Sequence, residues 1–531
     1  MPDMLRNSSA RINYAFVPAT LPVPPAIVGP GKVLLLSHIQ PIPSGINATL
    51  RIRWRATSPI LCGNEGETSE YSYTDNNGRR QKTKVKLTIP LKNGAEGRET
   101  LSGTALAGMI RNVLKAVTGS YYGPINKKYI NRFGSRLARG EHPITSADIN
   151  EENSEIGKAL RILQNRQASG EEKRTAKETI ATERTKTLNG MRTDNSDWST
   201  IADVADRTYC PDATNNVLDW TNAMMGFVLG ENENAERSND QWRPEWPAGL
   251  GDAFPQGIQS RISFSFADCL TVAPGLWPNR VETVLKVPGA SPKVSFNPSY
   301  LAEGAWNTGD SRLAGLKIYP VHDPDLGAFS ENAAFFENYT SYDRDSTTNP
   351  PVASDTLLRF IMASDEAPIE FEGTIACHNL APAEFGALIW ALFVGEPVSV
   401  TAHDDLRHNI GHLRGFGMGQ LAPMLVDANL SINPNPEAGK RRQELSGELA
   451  YKKMDDLRQD FEKTDTGKLT APARERLKLF RSRRFGNRLK DHGRIKSYVA
   501  STGRDALKFT ELKGRDFSIS KEDDAIIESL E

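Results

Sequence analysis

The chain lacks several features that would place it in a well-known class. Its 531 residues include only four cysteines, none in a Cys-x-x-Cys pair, which excludes the usual zinc ribbons and indicates a reduced, cytoplasmic setting. No apolar run reaches about 18 residues, so we expect no membrane span, and the first residues lack the apolar stretch of a signal peptide. The glycine patterns of P-loop and Rossmann nucleotide sites are also missing.

Charge is nearly balanced over the whole chain but unevenly distributed. The net charge is −1, with 25% charged and 38% hydrophobic residues, which predicts a soluble globular protein. Residues 468–515 nevertheless hold fifteen Lys or Arg against four acids. Such segregation favours a polyanion on one face and protein partners on others, although a solvated basic helix fits equally well.

The most informative motif is the glycine-dense stretch Gly411-His-Leu-Arg-Gly-Phe-Gly-Met-Gly-Gln-Leu421. Glycine tolerates positive φ and lets backbone N–H groups approach a ligand, and consecutive N–H groups form an anion-binding nest. Arg414 adds a charged donor fork, and Phe416 adds a stacking face. The composition is suited to a loop that holds a phosphodiester backbone, although an ordinary glycine-rich turn has the same composition.

A second motif lies early in the chain, at Leu101-Ser-Gly-Thr-Ala-Leu-Ala-Gly-Met-Ile-Arg-Asn-Val-Leu-Lys115. Its apolar residues recur at helical spacing, and Ser102 or Thr104 is suited to cap the helix. A helix that begins here presents N–H groups and a positive dipole end, with Arg111 two turns further on. An ordinary capped core helix produces the same pattern.

In this order, the two motifs resemble those of the RAMP superfamily of CRISPR-associated RNA-binding proteins. Asn13-Tyr-Ala-Phe-Val-Pro18 is similar to the N-terminal arm of the larger, type III-associated members. Residues 257–268 resemble a Gly-Arg-Val-x-Phe-x-Asp-Ala strand, and residues 371–390 resemble the strand and helix before the glycine loop. One departure is Glu99-Thr-Leu-Ser-Gly, where the family usually has Ile-Pro-Gly-Ser.

The resemblance implies an RNA-binding subunit of a type III-like CRISPR effector that holds guide RNA by its backbone. The implied partners are guide RNA, target RNA and other effector subunits, with self-assembly along the RNA and no membrane. The implied RNA contacts are Ser102, Gly103, Thr104, Arg111, Asn112, Gly411, His412, Arg414, Gly415, Phe416 and Gly417.

Further basic side chains are expected on the segment Leu50-Arg-Ile-Arg-Trp-Arg55, which alternates apolar and basic residues. Alternation of this kind indicates a half-buried strand, whose other face would present Arg51, Arg53 and Arg55 together. One interpretation is that this arginine face binds RNA. The other is that the segment is an edge strand whose arginines face solvent.

The order of predicted elements, strand–helix–strand and later strand–helix–strand, indicates an α+β fold with a ferredoxin-like or RRM-like core and long insertions. We expect an extended, proline-rich arm over residues 1–45 and the core over residues 46–430. A helical insertion is predicted at about 140–200 and an irregular one at about 201–255. Residues 437–531 are predicted to form a basic, mainly helical C-terminal region.

Two clusters raise the question of catalysis. The resemblance implies an acidic residue in the loop after the first strand for metal-assisted cleavage of target RNA. Asp75 is the candidate, with Mg²⁺ as the cofactor if cleavage occurs, although Asp-Asn-Asn-Gly is also an ordinary turn. His408 and His412 are four residues apart, as zinc ligands on a helix are, but Gly411 interrupts a helix there and we assign no metal site.

Two other functions fit the same sequence. A CRISPR-RNA-processing endoribonuclease of the same superfamily would need an acid–base residue near the glycine loop, such as His412. An assembly adaptor that keeps the fold but lacks the RNA contacts would purify free of nucleic acid.

Overall fold

The protein is described from a computed structural model. The structure describes residues 15–18, 20, 41–74, 80–93, 97–120, 159, 162, 169–176, 178–179, 219–228, 257–270, 281–285, 301–303, 312–313, 315–324, 356–492 and 519–530.

The strands are β1 (Ala15–Val17), β2 (Ile46–Ala56), β3 (Gly63–Thr74), β4 (Arg80–Pro90), β5 (Lys92–Asn93), β6 (Arg98–Leu101), β7 (Phe227–Val228), β8 (Gly257–Ile258), β9 (Ile262–Phe264), β10 (Ala267–Cys269), β11 (Val281–Leu285), β12 (Leu301–Glu303), β13 (Arg312–Leu313), β14 (Leu316–Ile318), β15 (Thr356–Phe360), β16 (Ile369–Leu380), β17 (His408–Asn409), β18 (Gln420–Ile432) and β19 (Gln443–Ser446). The helices are α1 (Gly103–Thr118), α2 (Trp220–Met225), α3 (Pro382–Phe393), α4 (Gly447–Lys463), α5 (Asp465–Leu469), α6 (Ala471–Arg481), α7 (Arg483–Asp491) and α8 (Ile519–Leu530).

The central sheet contains a ferredoxin-like core. Strands β18, β2, β16 and β10 lie side by side in that order, and each neighbouring pair is antiparallel. Along the chain the order is β2, α1, β9–β10, β16, α3 and β18. This is the strand–helix–strand–strand–helix–strand arrangement with the spatial order 4-1-3-2. The predicted α+β fold with a ferredoxin-like core is therefore confirmed.

Side-chain alternation along β2 sets the two faces of this sheet. Every even-numbered position from Ile46 to Ala56 is buried, whereas the odd-numbered positions are exposed or half-buried. Helices α1 and α3 cover the buried face, where Ile110 and Leu388 join Trp54 in one hydrophobic core. The opposite face of β2 carries the polar and basic side chains. The sheet therefore has one apolar, helix-covered face and one polar, open face.

Helices α4 to α7 add a second helical layer. A Cβ on Gly386 of α3 would lie 2.2 Å from the carbonyl oxygen of Leu457 in α4, so glycine permits this close helix crossing. Phe461, Phe480 and Leu489, from α4, α6 and α7, belong to the same hydrophobic core as the sheet. Apart from β19, the regular elements in the described part of the C-terminal region are thus helices, and this region shares its core with the sheet.

Segments inserted between the core elements build a second sheet with the order β11–β15–β4–β3. A β-bridge between Ile60 and Ile361 connects the chain leaving β2 to the chain entering β16. Close to this bridge, Leu61, Phe360 and Met418 form a small separate core. The inserted sheet thereby supports the loop that precedes β18.

Several predicted features lie outside the described residues. They include Asp75 and most of the ranges 1–45, 140–200 and 201–255, so the predicted domain boundaries stay predictions. Within the parts that the structure covers, no helix is long and apolar enough to cross a membrane.

Candidate nucleic-acid interface

The glycine loop connects β17 to β18, and it contains one 3₁₀ turn at Arg414–Phe416 with left-handed residues on both sides of it. Gly411, Leu413, Gly417 and Gly419 have φ values between 55° and 78°. Glycine adopts this conformation without the strain that a Cβ adds, whereas Leu413 bears that strain.

The glycines also allow the loop to pack tightly against the rest of the protein. A Cβ on Gly411 would lie 2.1 Å from the carbonyl oxygen of Leu61. The corresponding distance is 2.4 Å from Gly417 to the carbonyl oxygen of His322 and 1.9 Å from Gly419 to that of Ile410. These close approaches are to the protein's own backbone, so they account for the three glycines without a ligand.

Three backbone N–H groups of the loop donate hydrogen bonds to carbonyl oxygens of the protein. The N–H of His412 donates to the carbonyl of Leu61 at 3.0 Å, and the N–H of Gly419 donates to the carbonyl of Pro59 at 2.8 Å. The N–H of Phe416 donates to the carbonyl of Leu413 within the loop. These three N–H groups are satisfied inside the protein and are therefore not available to a ligand.

Arg414 lies over the aromatic ring of Tyr319, the residue that follows β14. The guanidinium carbon is 5.5 Å from the ring centroid, and the Lys317 ammonium is 5.8 Å from the same centroid. Both distances allow a cation–π attraction. Asn409 donates from Nδ2 to the Tyr319 carbonyl at 3.2 Å, which fixes the backbone that carries the ring.

A third cation, Arg481 of α6, is buried close to this cluster with only 6% of its surface exposed. It donates to the side-chain oxygen of Asn409, and its buried Nε has no partner among the described residues. Burial, together with the charge of Arg414, lowers the pKa of Arg481 to about 10. Burial lowers the pKa of Lys317 to about 8. Within the described part of the chain, neither Arg414 nor Arg481 forms an ion pair with a carboxylate.

The C-terminal helices hold the segment that carries Tyr319. The N–H of Val321 donates to the carbonyl of Phe480 at 2.9 Å, and the N–H of Asp323 donates to Asn487 Oδ1 at 2.7 Å. A Cβ on Gly486 would lie 1.7 Å from the Val321 carbonyl oxygen, so α7 lies directly against this backbone. Parts of the chain more than 150 residues apart thus build one site.

Sequence reasoning did not identify Lys317, Tyr319 or Arg481 as site residues. The available signal was the alternation Leu316-Lys-Ile-Tyr319, which places Lys317 and Tyr319 on one side of a strand. Leu316 and Ile318 are buried, and Lys317 and Tyr319 are half-buried. No comparable signal marks Arg481, because it lies in a helix rich in basic residues.

The second motif forms the predicted capped helix. Ser102 is the N-cap of α1, and its Oγ accepts the N–H of Ala105 at 3.2 Å. The Thr104 hydroxyl lies 3.2 Å from the Ser102 hydroxyl. A Cβ on Gly103 would lie 2.2 Å from the carbonyl oxygen of Phe264, so this glycine also serves packing inside the protein.

Arg111 points to another part of the protein. Its Nη2 donates at 2.7 Å both to Asn222 Oδ1 and to the carbonyl of Gly226. Burial lowers the pKa of Arg111, and the nearby Asp219 carboxylate partly offsets this effect. The side chain therefore fastens the segment around α2 to α1, while the neighbouring Asn112 is exposed.

The two motifs are attached at different places on the sheet. At the glycine loop, Leu421 is the first residue of β18 that pairs with β2, and its partner is Ala56. Gly103 lies against Phe264, which pairs with Ile375, and Ile375 in turn lies opposite Leu50 of β2. Three strand spacings and six residues along the strands correspond to a separation on the order of 25 Å. Any ligand that contacts both motifs is therefore an extended one.

The predicted arginine face is present on the open side of β2, but acids on β16 neutralise part of its charge. Arg53 forms ion pairs with Glu372 at 2.9 Å and with Glu370 at 3.4 Å. Arg51 lies 3.7 Å from Glu372. The buried Nε of Arg55 has no hydrogen-bond partner among the residues described. This face consequently offers a polyanion less uncompensated charge than three arginines suggest.

On the same open face, a groove of about 710 Å³ lies near the start of β2, and its lining includes the charged residues Arg261 and Glu444. Its lining includes Asn47, Thr49, Ser263, His378 and Asn429. None of its described lining residues is Phe, Tyr or Trp, so the imidazole of His378 is the one aromatic ring among them on which a base could stack.

The histidines do not form a metal centre within the described residues, where no group of three or more potential ligands occurs. His408 is buried, its Nε2 lies 2.8 Å from the Leu392 carbonyl oxygen, and burial lowers its pKa to about 3. The pKa of His412 is also lowered, by burial and by the charge of Arg414. Both imidazoles are therefore neutral near pH 7.

Comparisons with known proteins add little to this description. No protein-family model and no curated protein matches the sequence. Among solved structures, the chain is similar to the crystal structure of Csc2 from Thermofilum pendens, with 12% sequence identity and a TM-score of 0.26 over 93% of each chain. A TM-score this low carries no argument about fold or function. The assignment of the chain to a ferredoxin-like α+β fold therefore comes from its own strand order.

Proposed function

We propose that this protein is an RNA-binding subunit of a type III-like CRISPR effector complex and that it holds guide RNA by its backbone. The observation that carries the proposal is Arg414, which the glycine loop presents over Tyr319 without a carboxylate partner among the described residues. The ferredoxin-like core supports the proposal, because α1 is its first helix and the glycine loop leads into its last strand.

In this proposal, phosphate groups of the guide contact Arg414 and its surroundings, and base pairing by the guide supplies sequence specificity. The proposed partners are guide RNA, target RNA and other subunits of the effector. The further proposed contacts are Ser102, Gly103, Thr104, Arg111, Asn112, Gly411, His412, Gly415, Phe416, Gly417, Arg51, Arg53 and Arg55. Cleavage of target RNA at Asp75 with Mg²⁺ stays a prediction from the resemblance alone.

The direct test is to express the protein together with its complete CRISPR locus, purify it, and sequence the RNA that co-purifies. We expect repeat-derived RNA of defined length, and we expect Arg414→Gln to reduce its yield. Arg441→Gln is the matched control, because Arg441 is an exposed arginine on another surface. RNA-free protein from the complete locus would contradict the proposal and favour the assembly adaptor.

The same preparation separates binding from processing. An endoribonuclease that matures CRISPR RNA would cleave repeat RNA without added metal, and His412→Gln would abolish cleavage while binding persists. We expect no such cleavage, because none of the described residues pairs with the His412 imidazole as an acid–base partner.

A further inference from the structure

An exposed phenyl ring lies on the open face of the central sheet. Ala267 and Cys269 of β10 are buried in the hydrophobic core, so the alternating residues Phe266 and Leu270 lie on the opposite, open side. Phe266 is 49% exposed and Leu270 is 45% exposed. Among the described residues, no aromatic ring or cation packs against the ring of Phe266. This ring is therefore available to a ligand that stacks on it.

The ring lies beside the start of α1. A Cβ on Gly103 would lie 2.2 Å from the carbonyl oxygen of Phe264 and 3.0 Å from that of Ser265. The first turn of α1 therefore touches the two residues that precede Phe266. The Ser265 hydroxyl accepts the N–H of Thr374 at 2.8 Å and donates to the carbonyl of Phe266 at 2.6 Å, which fixes this segment against β16. Phe266 is thus held next to one of the two motifs of the proposed interface.

Arg51, a proposed RNA contact, lies across the sheet from the ring. Thr374 of β16 pairs with Arg51 of β2, and its carbonyl oxygen accepts the N–H of Ser265 at 2.9 Å on the other side. Arg51 and Phe266 are thus about two strand spacings apart on the open face, on the order of 10 Å. The side chain of Arg51 is 52% exposed. An RNA strand that reaches from Arg51 to the start of α1 therefore passes beside Phe266.

The surroundings of the ring favour a nucleobase over a protein surface. Protein docking sites expose contiguous apolar patches on the order of a few hundred Å² or more. Phe266 and Leu270 are about 13 Å apart along the strand, and Asp268 separates them. Asp268 accepts a hydrogen bond from Asn93 Nδ2 at 3.0 Å and lies opposite Glu372 of β16. A single ring among polar side chains matches the platform on which one base stacks.

We propose that the ring of Phe266 stacks on a base of the RNA strand whose backbone contacts Arg51 and the start of α1. This inference rests on the proposed function and adds a base contact to an interface that otherwise holds phosphate groups. Stacking requires an unpaired base but accepts any base, because every base has a π-face. The open face therefore binds single-stranded RNA at Phe266 without reading its sequence.

The test compares affinities for a single-stranded RNA of repeat sequence. We expect Phe266→Ala to weaken binding about five- to 150-fold, the typical loss when the ring under one stacked base is removed. Phe266→Tyr retains the ring and should bind like the wild type. Leu270→Ala is the matched control, because Leu270 is a similarly exposed apolar residue on the same face without a ring. Equal weakening by Phe266→Ala and Leu270→Ala would overturn the stacking role.

Salt dependence separates stacking from charge. Each phosphate contact on a single strand contributes about 0.7 to the slope of log K against log salt. Phe266→Ala should lower K and leave this slope unchanged, whereas Arg51→Gln should reduce the slope by about 0.7. A reduced slope in Phe266→Ala would show that phosphate contacts were lost and would overturn the stacking assignment. Thermal unfolding verifies that the variants are folded, and a Phe266→Tyr variant as weak as Phe266→Ala would also overturn it.

The outcomes distinguish this inference from the proposed function. Wild-type protein that does not bind RNA at all would contradict the proposed function. RNA binding that Arg414→Gln weakens and Phe266→Ala leaves intact would retain that function and overturn the stacking role. Loss of another effector subunit from the purified Phe266→Ala complex, with RNA affinity retained, would show that the ring docks a protein and would also overturn the RNA assignment.

Discussion

The start of α1 and the glycine loop are both glycine-containing segments that carry an arginine, yet their arginines have different surroundings. Arg111 donates two hydrogen bonds of 2.7 Å to the segment around α2, so its donors are used inside the protein. Arg414 contacts an aromatic ring and, among the described residues, no carboxylate. A motif of the same composition therefore stabilises the fold in one place and presents charge in the other.

The glycines of both motifs have the same structural explanation. In both motifs they lie against carbonyl oxygens of the protein itself, at Cβ distances between 1.9 and 2.4 Å for Gly103, Gly411, Gly417 and Gly419. Glycine is required at these positions because the chain packs tightly against its own backbone. The proposed ligand binding depends instead on the charged side chains that the packed backbone presents.

The largest expected effect comes from these glycines. Gly103→Ala and Gly419→Ala place a Cβ 2.2 and 1.9 Å from a backbone oxygen, so each should lower the free energy of unfolding by about 3 kcal/mol. Gly108 has nothing within 4 Å of its would-be Cβ, so Gly108→Ala in the same helix should be neutral or stabilise by up to about 1 kcal/mol. Chemical denaturation measures the free energy of unfolding of all three variants. Equal costs at Gly103 and Gly108 would show that packing does not distinguish them.

Substitution of Arg111 and of Arg414 should change the free energy of unfolding to different extents. Arg111→Met removes hydrogen bonds to Asn222 and Gly226 and leaves their oxygens unsatisfied, which should lower the free energy of unfolding by about 1–3 kcal/mol. Arg414→Met should change it by no more than about 0.5 kcal/mol, because Arg414 makes no hydrogen bond through its side chain in the described structure. A lower free energy of unfolding for Arg414→Met than for Arg111→Met would contradict this difference between the two arginines.

A further expected effect is a pH dependence that the two regions share. Burial lowers the pKa of Lys115 in α1 and of Lys317 in β14 to about 8, below the usual value near 10.4. Between these pH values the unfolded chain binds more protons than the folded one, so the free energy of unfolding should rise from about pH 8 to about pH 10. Lys115→Met combined with Lys317→Met should flatten that rise. A wild-type curve that falls over this range would contradict both shifts.

The local elements could be predicted from the sequence, and the long-range contacts could not. The Ser102 cap, the alternation of β2 and the ferredoxin-like order follow from spacing and turn chemistry, which act over a few residues. The partners of Arg111 and the ring beneath Arg414 depend on segments about a hundred residues away. Nothing in the local pattern distinguishes an arginine that fastens an insertion from one that faces a ligand.

The central claim is that RNA lies over the glycine loop and Tyr319. Ultraviolet crosslinking of the purified complex, followed by mass spectrometry of the RNA-linked peptides, tests it most directly. We predict crosslinks in the peptides that contain Tyr319 and Phe416, because aromatic side chains next to RNA are the groups that should react. Crosslinks confined to the groove beside His378, with none in those two peptides, would contradict the account.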